Sequence, residues 1–391
     1  MSVARPEAPS AVPTTSYWAV PLSDIAIDEE VEQAVAEVVR SGWWSMGPRV
    51  QEFETEFGRM CGAKAAFAVS NGTTALHLAL LAVGCSAGDE VIVPSLNFVA
   101  AANTIVHVGA TPVFCDIQGT HDLNLDVSSV EAAITPATRA IVVLHYGGHP
   151  CAMDEIVELA AQHGIAVIED AAHAPGARWR GGMCGTLGDV GCFSFFSNKN
   201  LPVGEGGMVV TDSEALADRI RLLRSHGMTK LTWDRHRGHA HSYDVVVPGF
   251  NYRLDEIRAA IGLVQLRRLE EQNAARGRLV AQYRAALDGV AGIEMPFRGN
   301  GESQSAHHLA VIVLPEESRR VEFQSRHAEA GIQASVHYPP IHSFSAYRTI
   351  THRPLPVTDM VAPRLVTLPL YPHMGDDQVA AVVRAVVLAA S

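Results

Sequence analysis

Lysine is nearly absent from this 391-residue chain: of its 30 basic residues only Lys64, Lys199 and Lys230 are lysines, and the rest are arginines. Arginine serves wherever any surface cation suffices. A lysine kept against that background points to chemistry that arginine cannot perform, such as forming an imine. Compositional scatter is the bland alternative, so position has to choose among the three.

Other shortages exclude whole classes of function. None of the six cysteines forms a C-x-x-C pair, which argues against zinc-type spacing and against a disulfide scaffold. Buried free thiols are the expectation. No run of about 18 apolar residues occurs, so no membrane-spanning helix is expected. Met1 to Val20 carries Arg5, Glu7 and three prolines where a signal peptide would have an apolar core. A cytoplasmic setting follows as the expectation. Charged residues make up 18% of the chain, too few for a disordered one. The formal net charge of −12 lacks the basic footprint of a nucleic-acid binder. Also missing are G-x-x-x-x-G-K-[ST], G-x-S-x-G, H-E-x-x-H and any G-x-G-x-x-G at a strand–helix junction.

What is present is an alternation. Short apolar runs at Ala65–Val69, Glu90–Pro94, Thr111–Asp116, Ala140–His145, Ile165–Asp170, Gly191–Phe196 and Met208–Thr211 read as strands. Helical stretches such as Thr73–Val83, Ala152–His163 and Ser213–Ser225 lie between several of them. Continuous apolar strands separated by helices indicate a largely parallel sheet covered on both faces, the α/β class. A long helical pattern opens at Leu254 and reaches about Leu287. Beyond it come strands at His308–Leu314, Ala334–Tyr338 and Leu365–Leu370, with helices at Val321–Ala330 and Asp376–Ala390. The expected organisation is an N-terminal arm (1–27), a large cofactor-binding domain (28–250), a connecting helix (251–290) and a smaller α+β domain (291–391).

Ligands of open parallel sheets sit beyond the carboxyl ends of the strands. Ser70-Asn71-Gly72-Thr73-Thr74 follows the first strand and opens a helix. Free amides there could cradle a phosphate, or the segment could be an ordinary N-cap. Asp170 closes an apolar strand, where an acid is costly without a cationic partner. His173 follows three residues on, with a structural role as its plainer reading. Lys199 falls just past the strand Gly191–Phe196, ahead of a stretch containing Gly204, Gly206 and Gly207. Lys64 and Lys230 sit in polar turns. Pyridoxal phosphate needs these three features: a lysine for the imine, an acid for the pyridine nitrogen and a phosphate cup. Gly72, Thr73, Thr74 and Ser194 would form the cup, and Phe98 would cover the ring. The cluster His236, His239 and His241 is flanked by Arg235 and Arg237, which would repel a metal ion, so a polar loop without metal is expected.

Seven ordered segments carry a resemblance: Ser70 to Leu76, Gly88 to Pro94, Glu169-Asp170-Ala171-Ala172-His173, Phe193-Ser194-Phe195, Lys199-Asn200-Leu201, Gly204-Glu205-Gly206-Gly207 and Asn251-Tyr252-Arg253. On them the chain resembles the DegT/DnrJ/EryC1/StrS family of pyridoxal-phosphate sugar aminotransferases. The resemblance implies a type I aminotransferase fold, with a mostly parallel seven-stranded sheet and a small C-terminal α+β domain. It implies a homodimer with shared active sites. Lys199 and Asp170 take the catalytic positions. His173 and Phe98 lie at the cofactor ring, Thr73, Thr74 and Ser194 at its phosphate, and Asn251 reaches the phosphate of the partner's site. The implied substrates are L-glutamate and a nucleotide-linked keto-sugar, a dTDP-4-keto-6-deoxyhexose. A 3-keto-sugar or cyclitol ketone is the runner-up, and a non-catalytic cofactor-binding regulator the rival from another class. Pro202 and Val203 stand where the family commonly has two threonines, which removes two hydroxyls near the site.

Overall fold

The computed structural model describes residues 18–230, 233, 242–299, 301–315 and 320–390. The expected histidine loop, His236, His239 and His241, lies outside the described residues, as does most of the N-terminal arm. Twelve strands are found among the described residues: β1 Ala65–Val69, β2 Glu90–Pro94, β3 Thr111–Cys115, β4 Thr138–Leu144, β5 Ala166–Asp170, β6 Arg178–Trp179, β7 Gly182–Met183, β8 Val190–Ser194, β9 Gly207–Thr211, β10 Ser303–Gln304, β11 Ala310–Val313 and β12 Leu365–Leu368.

Seven of them form one sheet in the order β1-β9-β8-β5-β4-β2-β3. Only β9 runs against its neighbours, pairing antiparallel with both β1 and β8. This is the mostly parallel α/β sheet that the alternation implied. Its inner strands are buried nearly end to end, as in β9, where all five residues are buried, because helices cover both faces. The helix Gly72–Ala82 packs across β5, β8 and β9.

The topology gathers chemistry at one end. The parallel strands β1, β2, β5 and β8 finish there with Val69, Pro94, Asp170 and Ser194. The reversed β9 starts there at Gly207. Close packing at this end demands small residues: a Cβ on Gly207 would lie 2.6 Å from the Asn71 carbonyl.

The long helix runs Glu256–Leu287, 32 residues, and joins two cores. Its first half packs Leu263 and Leu269 with Phe53, Phe193 and Phe195. Its second half packs Leu279, Tyr283 and Leu287 with Phe323, Val366 and Val382 of the C-terminal part. Asp255 is its N-cap, accepting from the Arg258 amide. The Glu256 carboxylate accepts from the amides of Gly47, Arg49 and Val50, which tethers the start of the helix Pro48–Cys61.

One expected strand is corrected. Ala334–Tyr338 makes a single bridge, Ser335 to Thr367, and no ladder. Pro339 and Pro340 follow at once and have no N–H to continue one. The six cysteines are buried free thiols, as expected. No helix among the described residues is long and apolar enough to cross a membrane.

Candidate active site

A cavity of about 420 Å³ lies at the gathering end of the sheet. Gly72, Thr73, Phe98, Asp170, His173, Ser194 and Lys199 all line it. Residues more than 120 positions apart in sequence thus meet in one chamber. Thr74 and Asn251 do not line it.

The phosphate-type cradle follows from helix capping. Asn71 caps the helix Gly72–Ala82, its Oδ1 accepting from the Thr74 amide at 2.9 Å. The Thr74 hydroxyl completes the box, accepting from the Asn71 amide and donating to the Asn71 carbonyl. Thr74 therefore spends both donors on the cap. The amides of Gly72 and Thr73 are left free at the positive end of the helix, where an anion is favoured. A Cβ on Gly72 would sit 2.8 Å from that of Ser194, so only glycine lets β8 and the helix end meet this closely.

The two adjacent acids at the end of β5 divide by strand alternation. Glu169 is fully buried and accepts from the amides of Gly185, Leu187 and Gly188 and from His145 Nε2. It builds structure. Asp170 points to the cavity, with the Ala172 amide on its Oδ1 at 3.2 Å. Burial raises its pKa to about 6, opposed by the Ala172 hydrogen bond and the charge of Lys199. Lys199 moves the other way: burial lowers it to about 8, opposed by Asp170. A buried carboxylate at the cavity wall and a lysine with a labile proton are what a cationic ring nitrogen and imine chemistry require. Lys64 and Lys230 are exposed.

His173 has a fixed tautomer. The Gly147 amide donates to its Nδ1 at 3.3 Å, so the ring proton sits on Nε2 and donates to the Tyr338 hydroxyl at 2.8 Å. Burial, reinforced by Lys199, pushes the imidazole well below its ordinary pKa, so it stays neutral. Phe98 is half-exposed across the cavity, its ring 5.7 Å from that of Tyr338. Asn200 locks the segment after Lys199: its amide donates to Asn273 and the Ala306 carbonyl, and its oxygen accepts from His308.

Sequence reasoning missed Tyr338, His337 and Asn97, which also line the cavity. Tyr338 was hidden inside a stretch that reads as a strand. Asn97 follows β2 by three residues, the kind of position that the rule of strand ends flags, and its Nδ2 is buried without a partner. Asn251 is exposed on its own chain, and its backbone bridges Ser225. The long helix is capped by Asp255, not by Asn251.

This sheet, with a lysine, an acid and an anion cradle at its carboxyl end, defines a type I pyridoxal-phosphate enzyme. The chain belongs to the DegT/DnrJ/EryC1/StrS aminotransferase family, which it matches over residues 25–387. It is an aminotransferase and pyridoxal phosphate is its cofactor. It is 42% identical to the spore coat polysaccharide biosynthesis protein SpsC of Bacillus subtilis (strain 168), over 94% of this chain and 96% of that protein. The aminotransferase TlmJ from Streptoalloteichus hindustanus superposes with a TM-score of 0.89 at 34% identity, covering 95% and 98% of the two chains. The sugar aminotransferase CalS13 from Micromonospora echinospora superposes at 0.86 with 32% identity, covering 94% and 99%.

Proposed function

We propose that the chain moves an amino group from L-glutamate to the ketone of a nucleotide-linked sugar, a dTDP-4-keto-6-deoxyhexose, as a cytoplasmic homodimer. The observation that carries the chemistry is the pairing of Lys199 with Asp170 across one cavity. What supports a sugar acceptor is the company the chain keeps: CalS13 is a sugar aminotransferase, and SpsC is named for polysaccharide biosynthesis.

Bound pyridoxal phosphate supplies an electron sink that stabilises negative charge at the carbon losing its proton. Lys199 is the residue that would hold the cofactor through its amine, and the same amine would take and return the proton at the amino carbon. A pKa near 8 suits an amine that must both take and give that proton near neutrality. Asp170 holds a proton at the ring nitrogen. The free amides of Gly72 and Thr73, with Ser194, would hold the phosphate, and Thr74 keeps the cradle in shape through the cap. Phe98 and His173 would lie beside the ring, and Asn251 of the partner subunit would add a phosphate contact.

The test is a panel of nucleotide keto-sugars offered with glutamate and read by mass spectrometry. A 4-keto-6-deoxyhexose should be converted to the amine in preference to 3-keto-sugars and cyclitol ketones. Conversion of a cyclitol ketone alone would move the enzyme to the runner-up class. No turnover with any ketone, despite full cofactor loading, would favour a regulatory protein.

A further inference from the structure

The long helix carries a glycine, Gly277, at a position where alanine would favour the helix. A Cβ there would come within 3.1 Å of the His307 ring, so the helix is left bare where that imidazole packs. His307 itself takes a left-handed backbone, with φ of 49°, a strained state that persists only where the surroundings fix it. Both residues line a second large cavity, of about 400 Å³ against about 420 Å³ for the active site, and the two cavities share no lining residue. It lies between the long helix, the start of β6 and residues 304–307. Such a volume takes a compact organic molecule.

The lining combines two chemistries. Met60, Met183, Leu266 and Leu269 are apolar. Arg178, the first residue of β6, is a cation. Its Nη1 donates to the Gly181 carbonyl at 3.0 Å, and no carboxylate stands at ion-pair distance from it among the described residues. Its charge reaches the buried thiols of Cys61 and Cys184, so it acts inward as well as on solvent. His307 adds a ring whose Nδ1 is sealed from solvent without a partner. Burial and the charge of Arg284 hold that ring below its usual pKa, so it is neutral and has one N–H to give. Of the other charged groups on the wall, Arg267 is already bound to Glu30 at 2.5 Å. Glu270, the one carboxylate lining the cavity among the described residues, is exposed on the helix.

The cavity backs onto the catalytic wall. Asn273 lines it, and the Oδ1 of Asn273 accepts at 2.7 Å from Asn200, the residue after Lys199. The Nδ2 of Asn273 donates to the Pro175 carbonyl at 2.9 Å. His308, next to His307, hydrogen-bonds the same Asn200 at 3.0 Å, and its ring lies 4.4 Å from that of His173. A continuous chain of hydrogen bonds and packed rings thus runs from the cavity to the residues flanking Lys199.

We propose that this cavity is an effector site for a compact organic anion. The apolar body of the ligand lies against Met60, Met183 and Leu266, and its anionic group meets Arg178 and His307. Filling the cavity acts on Lys199 through Asn273 and Asn200. The site is separate from the chamber of the proposed reaction and does not depend on which ketone is aminated.

The test uses the cofactor-loaded enzyme and anilinonaphthalene sulfonate, an apolar anion whose fluorescence reports apolar surroundings. Wild type should bind it, and neither glutamate nor the nucleotide keto-sugar should displace it. Arg178→Met should weaken binding at least about tenfold, because a hydrogen bond to a charged group is lost, and Arg178→Lys should recover part of the loss. Ala274→Phe, on the exposed helix face lining the cavity, should fill the space and weaken the probe by about the same factor, with a melting temperature close to that of wild type. Glu270→Gln should tighten binding by about twofold. Saturating probe should move the pH midpoint of the bound cofactor's absorbance by about 0.5 or more in wild type and leave it unmoved in Ala274→Phe. No binding to wild type, equal affinity in Ala274→Phe, displacement by the keto-sugar, or an unmoved midpoint in saturated wild type would each overturn the proposal. If Arg178→Met melts below wild type, the comparison with Ala274→Phe decides it.

Discussion

His173 Nε2 donates to the Tyr338 hydroxyl at 2.8 Å because the Gly147 amide occupies its other nitrogen. The direction of that bond decides what Tyr338 can do. Its oxygen accepts from the imidazole, so its own proton is available to the cavity it lines. Burial lifts the phenol well above its usual pKa, and it remains a donor at any working pH.

Tyr338→Phe removes that donor while keeping the ring against Phe98. Cofactor content should be normal and kcat/KM should drop about three- to tenfold, the worth of one ordinary hydrogen bond. Steady-state kinetics on the loaded variant checks this. An unchanged kcat/KM would show that the hydroxyl does not meet the substrates.

Asp170→Asn keeps the shape of the site but cannot hold a proton at the ring nitrogen. Turnover should fall by about a hundredfold or more, with cofactor still bound and with KM little altered, since the lost interaction belongs to the transition state. Titrating the cofactor and measuring kcat on the same sample separates the two effects. Near-normal kcat would remove Asp170 from the chemistry.

The depressed lysine sets a pH dependence. Capture of pyridoxal phosphate by the apoprotein needs the neutral amine. With a pKa of about 8, about 10% of Lys199 is neutral at pH 7, against about 0.03% for an ordinary lysine. Lowering a lysine's pKa favours the neutral form, so the capture rate should rise with pH and level off above about 8. Stopped-flow absorbance between pH 6 and 10 follows it. A rate still climbing through pH 10 would mean an unperturbed amine.

Much of this was legible in the sequence, and the reasons are physical. The strands of the large sheet are short apolar runs because both faces are covered, and that pattern survives without coordinates. Lys199 stood out because lysine is so rare here. Asp170 and Glu169 were adjacent acids that sequence alone separates weakly. Strand alternation assigns one to backbone amides and the other to the cavity. Tyr338 was illegible because its segment looks like a strand, and its place at the site is set by packing against His173, 165 residues away.

Asn251 offers a test of sharing between subunits. Asp255 caps the long helix, so capping does not explain Asn251, which does not line its own cavity. We propose that it completes the partner's phosphate cradle. A mixed dimer of Lys199→Ala and Asn251→Ala subunits would then place both defects in one site and none in the other. It should recover about half of wild-type activity if the two sites act independently. If Asn251 acts within its own chain, activity should not exceed half that of the Asn251→Ala homodimer. A fully active Asn251→Ala homodimer would end the phosphate-contact proposal before any mixing.

The central claim is that Lys199, of three lysines, carries the cofactor. Borohydride reduction of the loaded enzyme followed by peptide mapping tests it directly. The pyridoxyl label should fall on the peptide containing Lys199 and vanish in Lys199→Ala, which should bind the cofactor only noncovalently. A label on Lys64 or Lys230 in the wild-type enzyme would contradict the account.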